Sequence, residues 1–145
     1  MRKSLFIPLF AVLLAYAYFD NKGVSISAPN ARSTGLGNTA EHAFVNELSD
    51  IQVQGKGVVV RILPDDLEGS RHQKFILKLS GGPSLLVAHN IDLSRRLEGL
   101  ATGDVVEFNG EYEWNSQGGV LHWTHHDPDN RHVGGWLKYK GREYH

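Results

Sequence analysis

One stretch of the sequence decides the fold class, and it reads Val105-Val-Glu-Phe-Asn-Gly-Glu-Tyr-Glu-Trp114. Apolar and acidic side chains alternate along it. The apolar ones share one face and the acidic ones the other, namely Val106, Phe108, Tyr112 and Trp114 against Glu107, Glu111 and Glu113. A period of two is that of a β-strand, whose successive side chains point to opposite faces. The stretch therefore predicts a strand that packs its apolar face against a core.

Similar patterns lie on both sides of this stretch. Runs of β-favouring residues bounded by turn residues predict further strands at 54–63, 73–79, 84–88, 120–125 and 136–139. Apolar residues at helical spacing predict a short helix at 39–48, with Thr39 as its N-cap, and a helical turn at 91–100. The chain from residue 39 onward is therefore rich in strands and poor in helix.

The order of these elements favours one architecture. Three strands, a helical connection and then a hairpin follow one another as in an OB-fold. Gly110 fits this fold, because a glycine commonly relieves a strongly bent strand. We therefore predict an all-β domain, a small OB-like five-stranded barrel with a short N-terminal helix. An SH3-like barrel and a small sandwich have the same strand count and stay open as alternatives.

The N-terminus has the three parts of a secretory signal peptide. Arg2 and Lys3 form a positive region, residues 5–14 are apolar, and Ala15-Tyr16-Ala17 is a small-residue cleavage pattern. The apolar stretch runs on through Phe19, so an uncleaved membrane anchor is the alternative. Such an anchor is short, because roughly 17 to 25 residues are needed to span a bilayer.

These features predict a chain of three parts. Residues 1–19 are a signal peptide or an N-terminal membrane anchor, residues 20–38 are a flexible linker, and residues 39–145 are the OB-like domain. In both cases the positive N-terminal flank leaves the domain on the outer side of the membrane. We expect an exported protein, either free in the periplasm or tethered to the membrane and facing the periplasm.

The composition excludes several kinds of site. The sequence has no cysteine, which excludes disulfides, thiolate nucleophiles and cysteine-ligated zinc or iron–sulfur centres. From residue 18 onward it has 13 basic and 16 acidic residues, so nucleic acid is disfavoured as a partner. No serine-hydrolase elbow, P-loop or dinucleotide fingerprint is present. Chemistry on nucleoside triphosphates or dinucleotides is therefore disfavoured too.

Histidines concentrate near the C-terminus. Four of the eight lie within residues 122–132, together with two aspartates. Imidazole and carboxylate groups are the ligands that a cysteine-free zinc, manganese or nickel site would use. A turn at Pro128-Asp-Asn130 could fold the chain back on itself. We therefore predict that metal ligands come from His125, His126, Asp127 and His132, with a hydrogen-bonded polar loop as the alternative.

The predicted hairpin forms a second candidate set. Hydrophobic matching pairs Tyr112 with Trp123, which puts Glu113 opposite His122 on the other face. A carboxylate beside an imidazole can act as a general acid/base pair or as two metal ligands. Glu111, Glu113 and His122 are thus the candidate catalytic residues, and a cross-strand ion pair is the alternative.

The ends of the second and third strands supply candidate ligand contacts. Arg71 and His72 lie at the start of one, and His89 and Asn90 lie at the end of the other. Binding sites of barrels gather at strand ends, where Trp123 would add an aromatic face. A lone histidine in such a place is also commonly hydrogen-bonded to the backbone. These five residues are the predicted ligand-binding set.

Several motifs resemble those of a known family. They include Leu63-Pro-Asp-Asp66, Gly110-Glu-Tyr-Glu-Trp-Asn115, His122-Trp-Thr-His-His-Asp-Pro128 and Gly135-Trp-Leu137. From about residue 52 to the C-terminus the chain resembles a family of small bacterial exported proteins catalogued as a domain of unknown function. The resemblance implies a bacterial origin and an apolar N-terminal segment, and it assigns no activity.

Two functions fit these observations. The first is an extracytoplasmic OB-like binding module whose histidine-rich loop face binds a metal or a ligand, such as a glycan or a protein. The alternative is a metal-dependent hydrolase, a phosphodiesterase or nuclease, in which the histidines hold zinc or manganese. In that enzyme Glu111 or Glu113 would act as the base.

Overall fold

The computed structural model describes residues 39–145 of the chain. The predicted signal peptide or anchor at 1–19 and the predicted linker at 20–38 lie outside the described residues. Within residues 39–145, no helix has the length and apolar character needed to cross a membrane.

The described part contains one short helix and seven strands. They are α1 (Ala40–Val45), β1 (Ile51–Asp66), β2 (His72–Leu79), β3 (Ser84–Asn90), β4 (Val105–Glu113), β5 (Val120–His122), β6 (Trp136–Tyr139) and β7 (Arg142–Tyr144). All six predicted strands are present, although several bounds differ, and β7 is an additional strand. The mostly-β prediction is confirmed.

The helical predictions hold in shortened form. Thr39 caps α1, because its side-chain oxygen accepts a hydrogen bond from the His42 amide at 3.1 Å. Between β3 and β4 the predicted helical turn is reduced to a single turn, in which the Ser94 amide donates to the Asn90 carbonyl at 3.2 Å. The rest of that connection is irregular, because Gln73 bonds both backbone groups of Leu97 and holds it in the core.

Five of the strands form a closed ring. β1 pairs antiparallel with β2 and with β4, β2 pairs with β3, and β5 pairs antiparallel with β4 and parallel with β3. The 16-residue β1 serves both neighbours, since its first half pairs with β4 and its second half with β2. β6 adds to β4 beside β5, and β7 adds to β6. Every strand of the ring thus has two partners within the ring, and β4 has β6 as a third.

The inward face of the ring forms the hydrophobic core. Its largest wholly buried side chains include Phe75, Leu77, Leu85, Phe108, Tyr112 and Leu121. The predicted apolar face of β4 is confirmed, and Trp114 packs against this core while its indole N–H donates to the Phe44 carbonyl at 3.1 Å. The opposite face of β4 therefore presents its glutamates away from the core.

β5 is shorter than predicted. It covers Val120–His122 rather than 120–125. Trp123 has a φ of 53°, in the left-handed region that bulky side chains rarely adopt, so the extended backbone stops after His122.

The register of the β4–β5 hairpin also differs from the prediction. Glu111, not Glu113, lies opposite His122, and Tyr112 lies opposite Leu121. The predicted pairing of Glu113 with His122 is therefore wrong by two residues. A shift of two leaves each side chain on its original face, because the side-chain period of a strand is two. The two glutamates still share a face with His122.

Two side chains set this register. The Tyr112 hydroxyl donates to the Gly118 carbonyl at 3.0 Å, and the Asn115 side-chain oxygen accepts from the Gly119 amide at 3.1 Å. Both contacts hold residues 114–119 as one connection between the strands. The prediction set the register by hydrophobic matching alone, which does not include these two hydrogen bonds, and its register was therefore displaced.

His89 is a wholly buried polar residue of the core. Its Nε2 lies 3.0 Å from the Arg95 carbonyl and its Nδ1 lies 2.8 Å from the Thr124 hydroxyl. A neutral ring satisfies both groups, because Nε2–H donates to the carbonyl while Nδ1 accepts from the hydroxyl. Burial lowers the pKa of His89 to about 4, against a smaller opposing effect of the Arg95 carbonyl. His89 therefore belongs to the core rather than to the surface.

We expect Gly110→Ala to destabilise the protein. A Cβ at this position would lie 2.6 Å from the His122 carbonyl oxygen and 3.0 Å from Thr124 Cγ2, so β4 and the end of β5 must move apart. The free energy of unfolding, measured by chemical denaturation, should fall by about 1–3 kcal/mol. Gly82→Ala is the control, since a Cβ there meets no atom within 4 Å. Equal stability of Gly110→Ala and wild type would contradict the close approach of these strands.

Acid should destabilise the protein through His89. The folded pKa of about 4 lies below the unfolded value of 6.5, so the unfolded chain binds the proton more tightly in that range. The contribution of His89 to the free energy of unfolding is about 3 kcal/mol in total. It is complete above pH 6.5 and is lost as the pH falls to about 4. The stability advantage of wild type over His89→Gln should shrink over the same range. An imidazole NMR titration of wild type gives the pKa directly, and a value near 6.5 would contradict the buried neutral ring.

Candidate functional site

Three side chains that the sequence proposed for catalysis converge on the outer face of the β4–β5 hairpin. His122 Nε2 lies 3.5 Å from Glu111 Oε1 and 3.7 Å from Glu113 Oε1. One donor atom from each residue lies within 4.8 Å of the others. The strand register explains why the three side chains converge, because Glu111 lies directly opposite His122 and Glu113 is two residues further along the same face. We call these residues the Glu–Glu–His cluster.

The electrostatics of the cluster favour uncharged forms of two of its members. Burial raises the pKa of Glu113 to about 7, and a contact with Asp50 and the charges of Asp50 and Glu111 act in the same direction. Burial lowers the pKa of His122, against the opposing effect of the Glu111 carboxylate. Within the described chain, His122 Nε2 is buried and has no hydrogen-bond partner. Near neutral pH the cluster thus contains a neutral imidazole beside a carboxyl group that is partly protonated.

His132 reaches the cluster from the loop after β5. Its Nε2 contacts Glu111 Oε2, and its Nδ1 lies 2.7 Å from the Val133 carbonyl oxygen. Both ring nitrogens therefore face oxygen atoms, one of a carboxyl group and one of a backbone carbonyl. The Glu111 carboxylate is therefore shared between two imidazoles, with one oxygen toward His132 and the other toward His122.

Trp123 covers His132 and turns toward the same side as His122. The indole and imidazole rings are stacked, with centroids 3.9 Å apart and planes 8° apart. Successive side chains of a strand point to opposite faces, yet His122 and Trp123 line one groove. The left-handed φ of Trp123 makes this possible. A strained backbone of this kind is typical of binding and catalytic sites.

The groove has a volume of about 360 Å³ and lies where β2 begins and where β3 and β5 end. It is lined by Ser70, His72, Ala88, Asn90, Leu93, His122, Trp123 and His125. We refer to this surface as the groove. It brings together three of the five predicted ligand contacts, namely His72, Asn90 and Trp123.

The other two predicted ligand contacts lie elsewhere. His89 is in the core below the surface. The side chain and the amide of Arg71 both donate to the Asp92 carboxylate, at 2.7 and 2.8 Å, outside the lining of the groove. Asn90 has a structural contact as well, since its side-chain oxygen accepts from the Asp92 and Leu93 amides.

The predicted metal ligands of residues 125–132 do not form a set of converging donors within the described part of the chain. The Asp127 carboxylate accepts from the amides of Asp129, Arg131 and His132, and these bonds lower its pKa. His125 Nδ1 lies 2.8 Å from the His126 carbonyl oxygen. Asp127 therefore shapes the loop, His132 joins the Glu–Glu–His cluster through Glu111, and the ligand role of the four residues stays a prediction.

Sequence reasoning missed two features of the site. Asp50 contacts Glu113 although the two are far apart in the sequence, because the start of β1 pairs with the end of β4. The stack of Trp123 on His132 depends on the irregular backbone after β5. No local pattern indicates either contact, but the strand pairing, once known, indicates the first.

The chain was compared with family models, with curated proteins and with solved structures, and one family model matches it. No curated protein and no solved structure matches the chain. The model of a family described as "Protein of unknown function (DUF3465)" matches residues 25–145. This range contains both the Glu–Glu–His cluster and the groove. Since the match covers most of the sequence, the chain belongs to the DUF3465 family.

Proposed function

We propose that the protein is an exported OB-like binding module that binds a saccharide in the groove. The strand order supports the OB-like assignment, because β1, β2, β3, β5 and β4 close into a ring with β3 and β5 parallel. OB-folds bind oligosaccharides and oligonucleotides on the face of strands 2 and 3 and on the loop between strands 1 and 2. The groove has contributions from β2, from β3 and from Ser70 in that loop.

The position of Trp123 carries this proposal. Its left-handed backbone turns the indole to the side of His122, so an aromatic ring and hydrogen-bonding groups line one concave surface. Such a conformation costs of order 1–3 kcal/mol and persists where the surroundings enforce it. Stacking on His132 helps to hold the indole in place.

The chemistry of the lining favours a sugar over a polyanion. The groove has imidazoles, an amide and a hydroxyl, which can donate to and accept from sugar hydroxyls. The indole supplies an apolar surface for the C–H face of a sugar ring. No lysine or arginine is among the lining residues. The volume of about 360 Å³ is at the small end of the range for ligand sites, about 300–1,000 Å³.

A metal-dependent hydrolase is the second candidate function. The observation that favours it is the convergence of Glu111, Glu113 and His122 beside the groove. Three protein ligands leave a coordination position for a water that can attack a substrate. Both glutamates of the cluster would then serve as ligands, and the ion itself would activate the water by lowering its pKa.

We expect the full chain to bind short oligosaccharides on a glycan array, and His72→Ala to weaken that binding. His72 lines the groove, so its loss removes a hydrogen-bonding group. Calorimetry with the strongest array ligand should show affinity reduced about tenfold, which corresponds to about 1.4 kcal/mol. His145→Ala is the matched control, because this histidine is exposed at the C-terminus and does not line the groove. Absence of any saccharide ligand, or an equal loss in the control, would overturn the proposal.

Hydrolysis assays separate the two candidate functions. The binding-module proposal predicts that the protein does not cleave an activated phosphodiester in the presence of Zn²⁺ or Mn²⁺. Cleavage that is abolished by Glu111→Gln and kept by Glu107→Gln would replace it with the hydrolase. Glu107 is a suitable control because it lies on the same strand outside the cluster.

A further inference from the structure

We propose that Glu111, Glu113 and His122 form a binding site for one divalent transition-metal ion, of which Zn²⁺ best fits the donor set. One imidazole nitrogen and two carboxylate oxygens are typical zinc donors, and manganese accepts the same groups. The site goes beyond the saccharide proposal and does not depend on it. It also differs from the ligand set that the sequence predicted within residues 125–132.

The spacing of the donor atoms fits a shared ion. Zinc lies about 2.0–2.1 Å from nitrogen and oxygen ligands in tetrahedral geometry, which separates the ligands by about 3.4 Å. His122 Nε2 lies 3.5 Å from Glu111 Oε1 and 3.7 Å from Glu113 Oε1. These separations are long for hydrogen bonds, whose usual length is about 2.7–3.2 Å. They are close to the separation of two donors that bind one ion.

The unpartnered nitrogen of His122 is a second, independent indication. Its Nε2 has almost no contact with solvent and no hydrogen-bond partner among the described residues. A buried polar atom without a partner costs about 1–3 kcal/mol, and native proteins seldom keep one. An ion between this nitrogen and the two carboxylates would satisfy all three groups.

The surroundings hold the donors in place. Glu111 and Glu113 lie on β4, and His122 lies on the paired strand β5, so the backbone fixes their relative positions. The second oxygen of Glu111 contacts His132, whose ring stacks on Trp123. Contacts of this kind orient metal ligands in known sites. His132 is therefore a positioning residue for Glu111.

The loop after β5 is a poorer place for the ion. The Asp127 carboxylate already accepts three backbone amides, and one nitrogen of His125 is bonded to a carbonyl. The Glu–Glu–His cluster, in contrast, keeps Glu111 Oε1 and Glu113 Oε1 at 3.5 and 3.7 Å from His122 Nε2. An ion there would lie beside the groove, because His122 lines both.

Calorimetric titration with Zn²⁺, and separately with Mn²⁺, tests the site on the full chain after treatment with a chelator. We expect one ion per chain for wild type and no measurable binding for Glu111→Gln or His122→Gln. Glu107→Gln, on the same strand, should bind as wild type does, and so should the double variant His125→Ala with His126→Ala. Circular dichroism shows whether each variant is folded.

If a ligand variant does not fold, imidazole NMR of the wild-type protein titrated with Zn²⁺ still tests the metal site. Zinc should shift the Nε2 resonance of His122 before those of His125 and His126. Absence of stoichiometric binding of either ion would overturn the proposal, as would binding that needs His125 and His126 but not Glu111. His72→Ala should leave zinc binding unchanged, so failure of the metal site and failure of the saccharide site can be told apart.

Discussion

The pairing of β5 with two neighbours is the constraint on which the rest of the structure depends. This strand has only three residues, yet it closes the ring by pairing antiparallel with β4 and parallel with β3. Gly110 permits it, because the Cβ of any other residue at this position would lie only 2.6 Å from the His122 carbonyl oxygen. The Tyr112 hydroxyl, bonded to Gly118, fixes the connection between the two strands. Closure of the ring and placement of His122 in the site therefore both depend on the pairing of this short strand.

Both candidate sites meet at the residue where β5 ends. His122 belongs to the Glu–Glu–His cluster on one side and lines the groove on the other. The backbone then becomes left-handed at Trp123, whose indole joins the groove while it stacks on His132. A ligand in the groove and an ion in the cluster would therefore be neighbours.

The sequence predicted those features that depend on a period of two. The alternation along β4 identified its buried face and its glutamate face, and the three members of the cluster were placed on one face despite an incorrect register. Features that depend on irregular backbone could not be predicted in this way. The left-handed backbone at Trp123 and the amide bonds of Asp127 belong to the irregular loop, and the contact of Asp50 with Glu113 depends on the pairing of β1 with β4. The sequence also does not distinguish the roles of its eight histidines. Only the fold shows that His89 lies in the core and that His122 lies at the surface site.

Anomalous diffraction at the zinc absorption edge, from a crystal of the full chain grown with Zn²⁺, tests the central claim most directly. The account predicts one strong peak bonded to Glu111, Glu113 and His122, with donor distances of about 2.0–2.1 Å. A peak bonded to His125 and His126 with the Glu–Glu–His cluster empty would contradict it, as would the absence of any peak beside β5.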